Sequence, residues 1–510
     1  MKFTMVNHLE ELRHRAEALV AARRRNIESC GTASADVEIL MSDALDTIAR
    51  EAGLQNWPDC YFEFAAKSMN RKERVERLRI ALHFGQDWVV QRLLDADPKL
   101  ANDNIGLELA LYDEVAVKRR LAADPGCAIK PVRLRRPILH LAFSRYIHAA
   151  PEKEPQMLAL VDALVRSGAD VNDSLPIEPG SLHTLSALYG AIGHAGNLPL
   201  ARWLLENGAD PNDDESLYHS TELGNCDGTQ LLLQFGARIK GTNALLRAID
   251  FNNHKIVGML LDHGADVNAG VATHPGGEPP LAVPALHQAA RRMADGRMAQ
   301  MLLNAGANCR QLYCGHSPYA YARIYGNEEV AEAIALFGGA LPLDKTETLL
   351  AAIADGTALA DATLHGHELS GETVNLLTNL IQFPDKLEHA RRLVKHGFDH
   401  DSCDEMKMTP LHLAGWEGLA ESMDWLLTLG PNLNHINGFG GNLLSTIIHG
   451  SENCPHRHSR NHIACARLAL QAGVNLNTNM IEFAGAQEMA NFLLKWSCDR
   501  PEQVVAGGPY

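Results

Sequence analysis

The apolar positions fall into short runs that are each closed by a glycine on a fixed period. Trp203-Leu204-Leu205, Leu231-Leu232-Leu233 and Met259-Leu260-Leu261 run into Gly208-Ala209-Asp210-Pro211-Asn212, Gly236-Ala237-Arg238 and Gly264-Ala265-Asp266-Val267-Asn268, respectively. These glycines lie 28 residues apart. A glycine that ends a helix can take the left-handed conformation, where a Cβ is strained. An Asp or Asn two to four residues later can bond its own backbone and hold the turn. A second short helical pattern precedes each run, opened by Ser186-Ala187-Leu188-Tyr189, Glu215-Ser216-Leu217-Tyr218 and Asn243-Ala244-Leu245-Leu246. Each unit therefore reads as helix, turn, helix and Gly-stopped loop.

Degraded copies occupy most of the chain. Val75 to Phe84 with Trp88 to Leu94, and Leu107 to Leu111 with Val115 to Leu121, form pairs stopped by Asp97-Pro98 and Asp124-Pro125, since proline cannot continue a helix. Pro137-Ile138-Leu139-His140 opens a unit whose inter-helix segment, Ala149 to Pro155, predicts a projecting loop. Pro284-Ala285-Leu286-His287 and Ser317-Pro318-Tyr319-Ala320 open units ending at Gly306 and Gly339. Gly270 to Pro284, rich in Pro and Gly, reads as a long finger loop. Gly339 to Gly397 holds two shortened units, and the first, with Leu349 to Ile353, has lost its turn signature. That predicts a joint between subarrays 74–340 and 341–498. The last unit begins at Asn442, is interrupted by Ser451 to Asn461, and resumes at Ile463. Residues 1–73 do not repeat; Leu9, Leu12, Ala16, Leu19 and Val20 recur at helical spacing and predict a helical cap. Residues 499–510 are expected to be a disordered tail.

Thr409-Pro410-Leu411-His412 supplies an N-cap hydroxyl, a proline where no amide hydrogen is needed, and a core leucine. On this tetrapeptide and the fixed period, the chain resembles the ankyrin-repeat family. The resemblance implies an all-α ankyrin-repeat solenoid of about a dozen stacked units with helical caps. The runs Pro211 to His219 and Thr242 to Ala248, with the interrupted last unit, are similar to a group of bacterial ankyrin-repeat proteins of undefined activity. That implies a bacterial source and supplies no reaction. In this family the tetrapeptide histidine bonds between adjacent repeats, a role carried over to His140, His287 and His412.

The family resemblance also implies binding along a concave face. Its two variable positions before each inter-helix turn fall at Glu222 and Leu223, Asp250 and Phe251, Arg291 and Arg292, Ile324 and Tyr325, Trp416 and Glu417, and His449. Phe251, Tyr325 and Trp416 are the expected anchors, because aromatic and Arg side chains dominate interface energetics. The plainer alternative is that each folds back on its neighbouring unit. The function expected is a scaffold or adaptor for a protein partner, with a secreted, host-directed effector as the alternative delivery of the same binding.

Composition narrows the remaining classes. A net charge of −16 argues against nonspecific nucleic-acid binding by the whole chain. The basic segment from Lys118 through Arg136 reads as a solvated helix face. Ten scattered cysteines give no disulfide framework, and no apolar run approaches the roughly 20 residues that span a bilayer. A cytoplasmic monomer with no membrane association is expected. No nucleophile with a nearby base and no phosphate loop stands out, so no enzyme and no cofactor is expected. The strongest chemical lead is Cys454-Pro455-His456-Arg457-His458-Ser459-Arg460-Asn461-His462. Cys454, His456, His458 and His462 are candidate metal ligands, His458 and His462 sharing a helix face if the helix starts early. A metal-dependent or enzymatic module in residues 454–465 or in the N-terminal region is the alternative from a different class. The plainer reading is a polar loop in which Ser459 or Asn461 caps the next helix. His365-Gly366-His367 reads as a solvated turn.

Overall fold

The computed structural model describes residues 2–29, 40–269, 283–364, 369 and 371–506, without the side chains of 2–9, 26–29, 371 and 372. The expected finger at 270–284 falls almost wholly outside the described residues, as do His365, Gly366, His367 and residues 507–510. The chain forms two compact units, residues 102–402 and residues 1–101 with 403–510. The joint expected at 341 lies inside the first of these.

Unit 102–402 is a stack of helix pairs. Its regular portion runs through Leu198–Glu206, Ser216–Ser220 with Asp227–Gln234, Ala244–Asp250 with His254–Asp262, Ala285–Arg291 with Gly296–Asn304, and Pro318–Tyr325 with Glu328–Leu336. The second helices bury one stripe, as in Leu200, Leu204 and Leu205 or Ile256, Val257 and Leu260. Burying each such side chain contributes roughly 1.5–3 kcal/mol. Gly208, Gly236 and Gly264 take φ of 94°, 85° and 86°, the left-handed stop expected of them.

The loop signature divides its labour. Asp210 Oδ1 accepts from Asn212 N at 2.9 Å, and Asp266 Oδ1 from Asn268 N at 2.9 Å, closing their own turns. The asparagines reach the following repeat instead. Asn172 donates to Gly208 O at 3.1 Å and accepts from Asp210 N at 2.7 Å. Asn268 does the same with Gly306 O at 2.9 Å and Asn308 N at 2.8 Å. In these loops the aspartate holds the turn and the asparagine stitches its unit to the next.

Two expectations within this unit change. The segment 149–155 does not project: 3-10 turns at Tyr146–His148 and Pro151–Lys153 run straight into helix Glu154–Arg166. His148 Nε2 lies 2.6 Å from Ala195 O and Lys153 Nζ donates to Leu111 O at 3.0 Å, tying the segment to turns on both sides. The shortened units at 345–395 are one helix, Lys345–Asp355, followed by Leu376–Leu380 and Leu387–Lys395. Arg392 donates to the C-terminal carbonyls of Ile353 and Ala354 at 2.7 and 2.5 Å, satisfying groups that a following helix would otherwise cover.

Unit 1–101 with 403–510 joins segments far apart in sequence. Helices Met41–Glu51, Trp57–Ser68 and the pair Arg71–Phe84 with Asp87–Ala96 pack with the closing helices Thr478–Phe483 and Gln487–Asp499. Lys495 pairs with Asp46 at 2.6 Å, Ser42 donates its amide and hydroxyl to Asp499, and Trp88 Nε1 donates to Gly485 O at 2.8 Å. Residues 501–505, expected to be disordered, form a turn and a short strand in which Val504 pairs with Leu476 in parallel.

Candidate functional site

In unit 102–402 the C-terminal ends of successive first helices line up, and their outward residues are mostly those expected to bind. Helix Ala244–Asp250 buries Ala244, Ala248 and Ile249. The helical period therefore turns Arg247 and Asp250 to the other side, with Phe251 as the C-cap. Arg247 donates Nε to Glu222 at 2.7 Å and Nη1 to Asp250 at 3.1 Å. Its guanidinium lies over the Phe251 ring at 4.8 Å and near the Tyr218 ring at 5.7 Å. The sequence did not single out Arg247, because it sits a turn before the variable positions, yet it holds Glu222, Asp250 and Phe251 in one arrangement.

The row continues in both directions. His219 bridges Glu222 and Glu215, each at 3.0 Å, and Glu215 also accepts from His183. Burial by itself would lower the His219 pKa, but its bonds to the two carboxylates outweigh burial and raise it from 6.5 to about 9. Burial would likewise raise the Glu222 carboxyl; its bond from His219 and the Arg247 charge hold it below the usual range. On the other side, Asp250 Oδ1 accepts from Gln288, and Arg292 Nε lies 3.4 Å from the same oxygen. Arg291 Nε donates to Gln288 at 2.7 Å.

Beyond Arg292 the face closes. Arg292 donates to Gln382 at 2.6 Å and stacks over Phe383, while the Tyr325 hydroxyl accepts from Asn379 at 3.0 Å. Tyr325 is 0% exposed and packs on Tyr321, which corrects its expected place as an exposed anchor. The cause is the pair at 376–395, whose turn end folds over the Tyr325 position. Ile324 is buried as well. The accessible stretch therefore runs from Glu222 to Arg291. The basic segment is largely satisfied within the fold: Lys118 pairs with Glu114, Arg120 with the fully buried Glu108, and Arg136 with Asp173.

The remaining expected residues belong to the other unit. Trp416 packs against His449 with ring centroids 5.2 Å apart and planes tilted by 41°. Glu417 is buried and faces the interrupted last unit, where Cys454 Sγ lies 3.5 Å and His456 Nδ1 3.3 Å from its Oε2. Helix His462–Gln471 starts late, with Asn461 Oδ1 capping it through Ala464 N at 2.9 Å. His458 therefore remains in the preceding turn and is exposed, while His462 is buried with Nε2 at 2.9 Å from Trp416 O. The four candidate ligands do not converge as a set; Cys454 and His456 converge with Glu417. Beside His449 lies a cavity of about 250 Å³, lined by Phe84, Ile448, Glu452 and Phe483 among others. Its walls come from both ends of the chain, so no local pattern announced it.

The three tetrapeptide histidines are buried. His287 Nε2 lies 3.0 Å from His316 O of the next repeat, His140 Nε2 is 3.3 Å from Val132 O, and His412 Nδ1 is 2.8 Å from the Thr409 hydroxyl. The nine described cysteines are all unpaired. Among the described residues no helix is long and apolar enough to cross a membrane.

Residues 188–270 match a family model described as ankyrin repeats in three copies. No curated protein matches the chain. Among solved structures, the crystal structure of the human ASB11 ankyrin repeat domain is similar at 20% identity, covering 48% of this chain and 98% of that one, with a TM-score of 0.33.

Proposed function

We propose that this chain, a mostly helical ankyrin-repeat array, is a scaffold that binds a protein partner along the row from Glu222 to Arg291. The observation that carries the reading is Arg247, whose two ion pairs and ring contacts fix Glu222, Asp250 and Phe251 before any partner arrives. A surface already ordered loses little side-chain entropy on binding, which leaves more of the contact energy for affinity. Partly exposed Phe and Arg beside carboxylates also match the residue types that carry interface energy. Ankyrin repeats are typically protein-interaction modules, and nothing in the row forms a nucleophile and base pair.

The test is affinity capture with the full chain, followed by Phe251→Ala with Arg291→Glu. Both positions lie off the core, so far-UV dichroism should be unchanged. Loss of an anchor of this kind costs about 2 kcal/mol or more, roughly thirtyfold in Kd. A captured partner retained at wild-type affinity by this variant, and lost with Trp416→Glu, would place the interface in the other unit.

A further inference from the structure

The cluster at Glu417, Cys454 and His456 gathers three side chains of metal-ligating type. A carboxylate, a thiol and an imidazole from two successive repeats bring one ligand atom each to within 4.8 Å of one another. In tetrahedral coordination with bonds of about 2.0–2.3 Å, ligand atoms lie about 3.3–3.8 Å apart. Oε2 of Glu417 already stands 3.5 Å from the Cys454 sulfur and 3.3 Å from His456 Nδ1. We propose that Glu417, Cys454 and His456 bind one divalent ion of the zinc class, which fastens the interrupted last repeat to the repeat before it. This is independent of the partner reading, since it lies in the other unit and needs no partner.

The carrier is built without the ion. Glu417 is the C-cap residue of helix Pro410–Trp416, and Cys454 the C-cap residue of Leu443–Asn453, its amide held by Gly450 O at 2.9 Å. The intervening loop is pinned back on the same turn, with Asn461 N donating to Gly418 O at 3.0 Å and His462 Nε2 at Trp416 O. Only His456, whose side chain is 49% exposed, has to move to complete the third edge. The donor set selects the metal: thiolate and imidazole suit zinc or cobalt, whereas magnesium and calcium take oxygen ligands. Binding exchanges the Cys454 S–H bond for a sulfur–metal bond and releases that proton to water. The carboxylate and thiolate then balance the charge of a divalent ion. Three protein ligands leave a fourth position for water on the exposed His456 side. Two positive groups oppose the ion: the Arg460 guanidinium, 4.0 Å from the same Glu417 oxygen, and the Arg457 guanidinium, which donates to Cys454 O at 3.2 Å.

The experiment is a cobalt(II) titration of the full chain, stripped of metal and kept reduced with a phosphine. A thiolate-to-cobalt charge-transfer absorption saturating at one equivalent and displaced by zinc(II) is expected. It should vanish in Cys454→Ser, weaken at least tenfold in Glu417→Gln and His456→Ala, and persist in His458→Ala. Far-UV dichroism checks each fold, and if the buried Cys454→Ser is misfolded, the exposed His456→Ala carries the decision. Absence of the band in the folded wild type overturns the proposal. So does a band that survives folded Cys454→Ser, since another cysteine would then hold the ion, or wild-type affinity in folded His456→Ala.

Discussion

His219 sits between two carboxylates and two tyrosine rings, and its charge state is the most testable consequence of the row. Glu215, Glu222, Tyr189 and Tyr218 surround it. Its folded pKa, about 9, is raised above the ordinary 6.5. The stability it contributes is therefore complete below about pH 6.5 and is lost as pH rises through about 9. Urea unfolding across pH 6 to 9.5 should show wild type losing stability over that window while His219→Gln changes much less. Equal slopes in the two proteins would mean the histidine is not charged in the fold. The place of Tyr325 just before the turn marked it as an anchor, but exposure at that position is decided by Asn379, more than fifty residues away, which no spacing rule contains.

At the scale of elements most of the architecture was legible. The apolar runs, the glycine stops and the tetrapeptide are local signals, each fixed by backbone conformation and burial, and the helices and their left-handed ends follow them. Less legible was the use of the loop asparagines, because a side chain that bonds the next repeat looks in sequence like one that bonds its own turn. Asn268 spans 38 to 40 residues to Gly306 and Asn308. Asn268→Ala removes two such bonds and should lower unfolding free energy by about 1–2 kcal/mol, the exposed setting keeping it at that low end. Asp266→Ala, which loses only a turn bond, should cost less, and denaturation of both variants measures the difference. The same blind spot hid Glu417 as the partner of Cys454 and His456: the loop looked like a ligand cluster in itself, while its late helix start separates His458 from His462.

For the whole molecule, what sequence could not supply is which segments meet. The non-repeating N-terminal helices pack with the closing helices of their own unit, and the cavity beside His449 draws its walls from the first helix pair, the last repeat and the closing helix Thr478–Phe483. Pairings across more than 350 residues have no local signature. The proposed row, by contrast, lies within three consecutive helix pairs, so the variable positions that the family resemblance implies fall on six of its members, while Arg247, His219, Glu215 and Gln288 carry no such mark in the sequence. The central claim is that a protein partner sits on the stretch from Glu222 to Arg291. Hydrogen exchange of the full chain with and without its captured partner tests it most directly. Slowed exchange concentrated in peptides covering 216–225, 244–254 and 285–292 is expected. Protection confined to other segments, with these three unchanged, would contradict it.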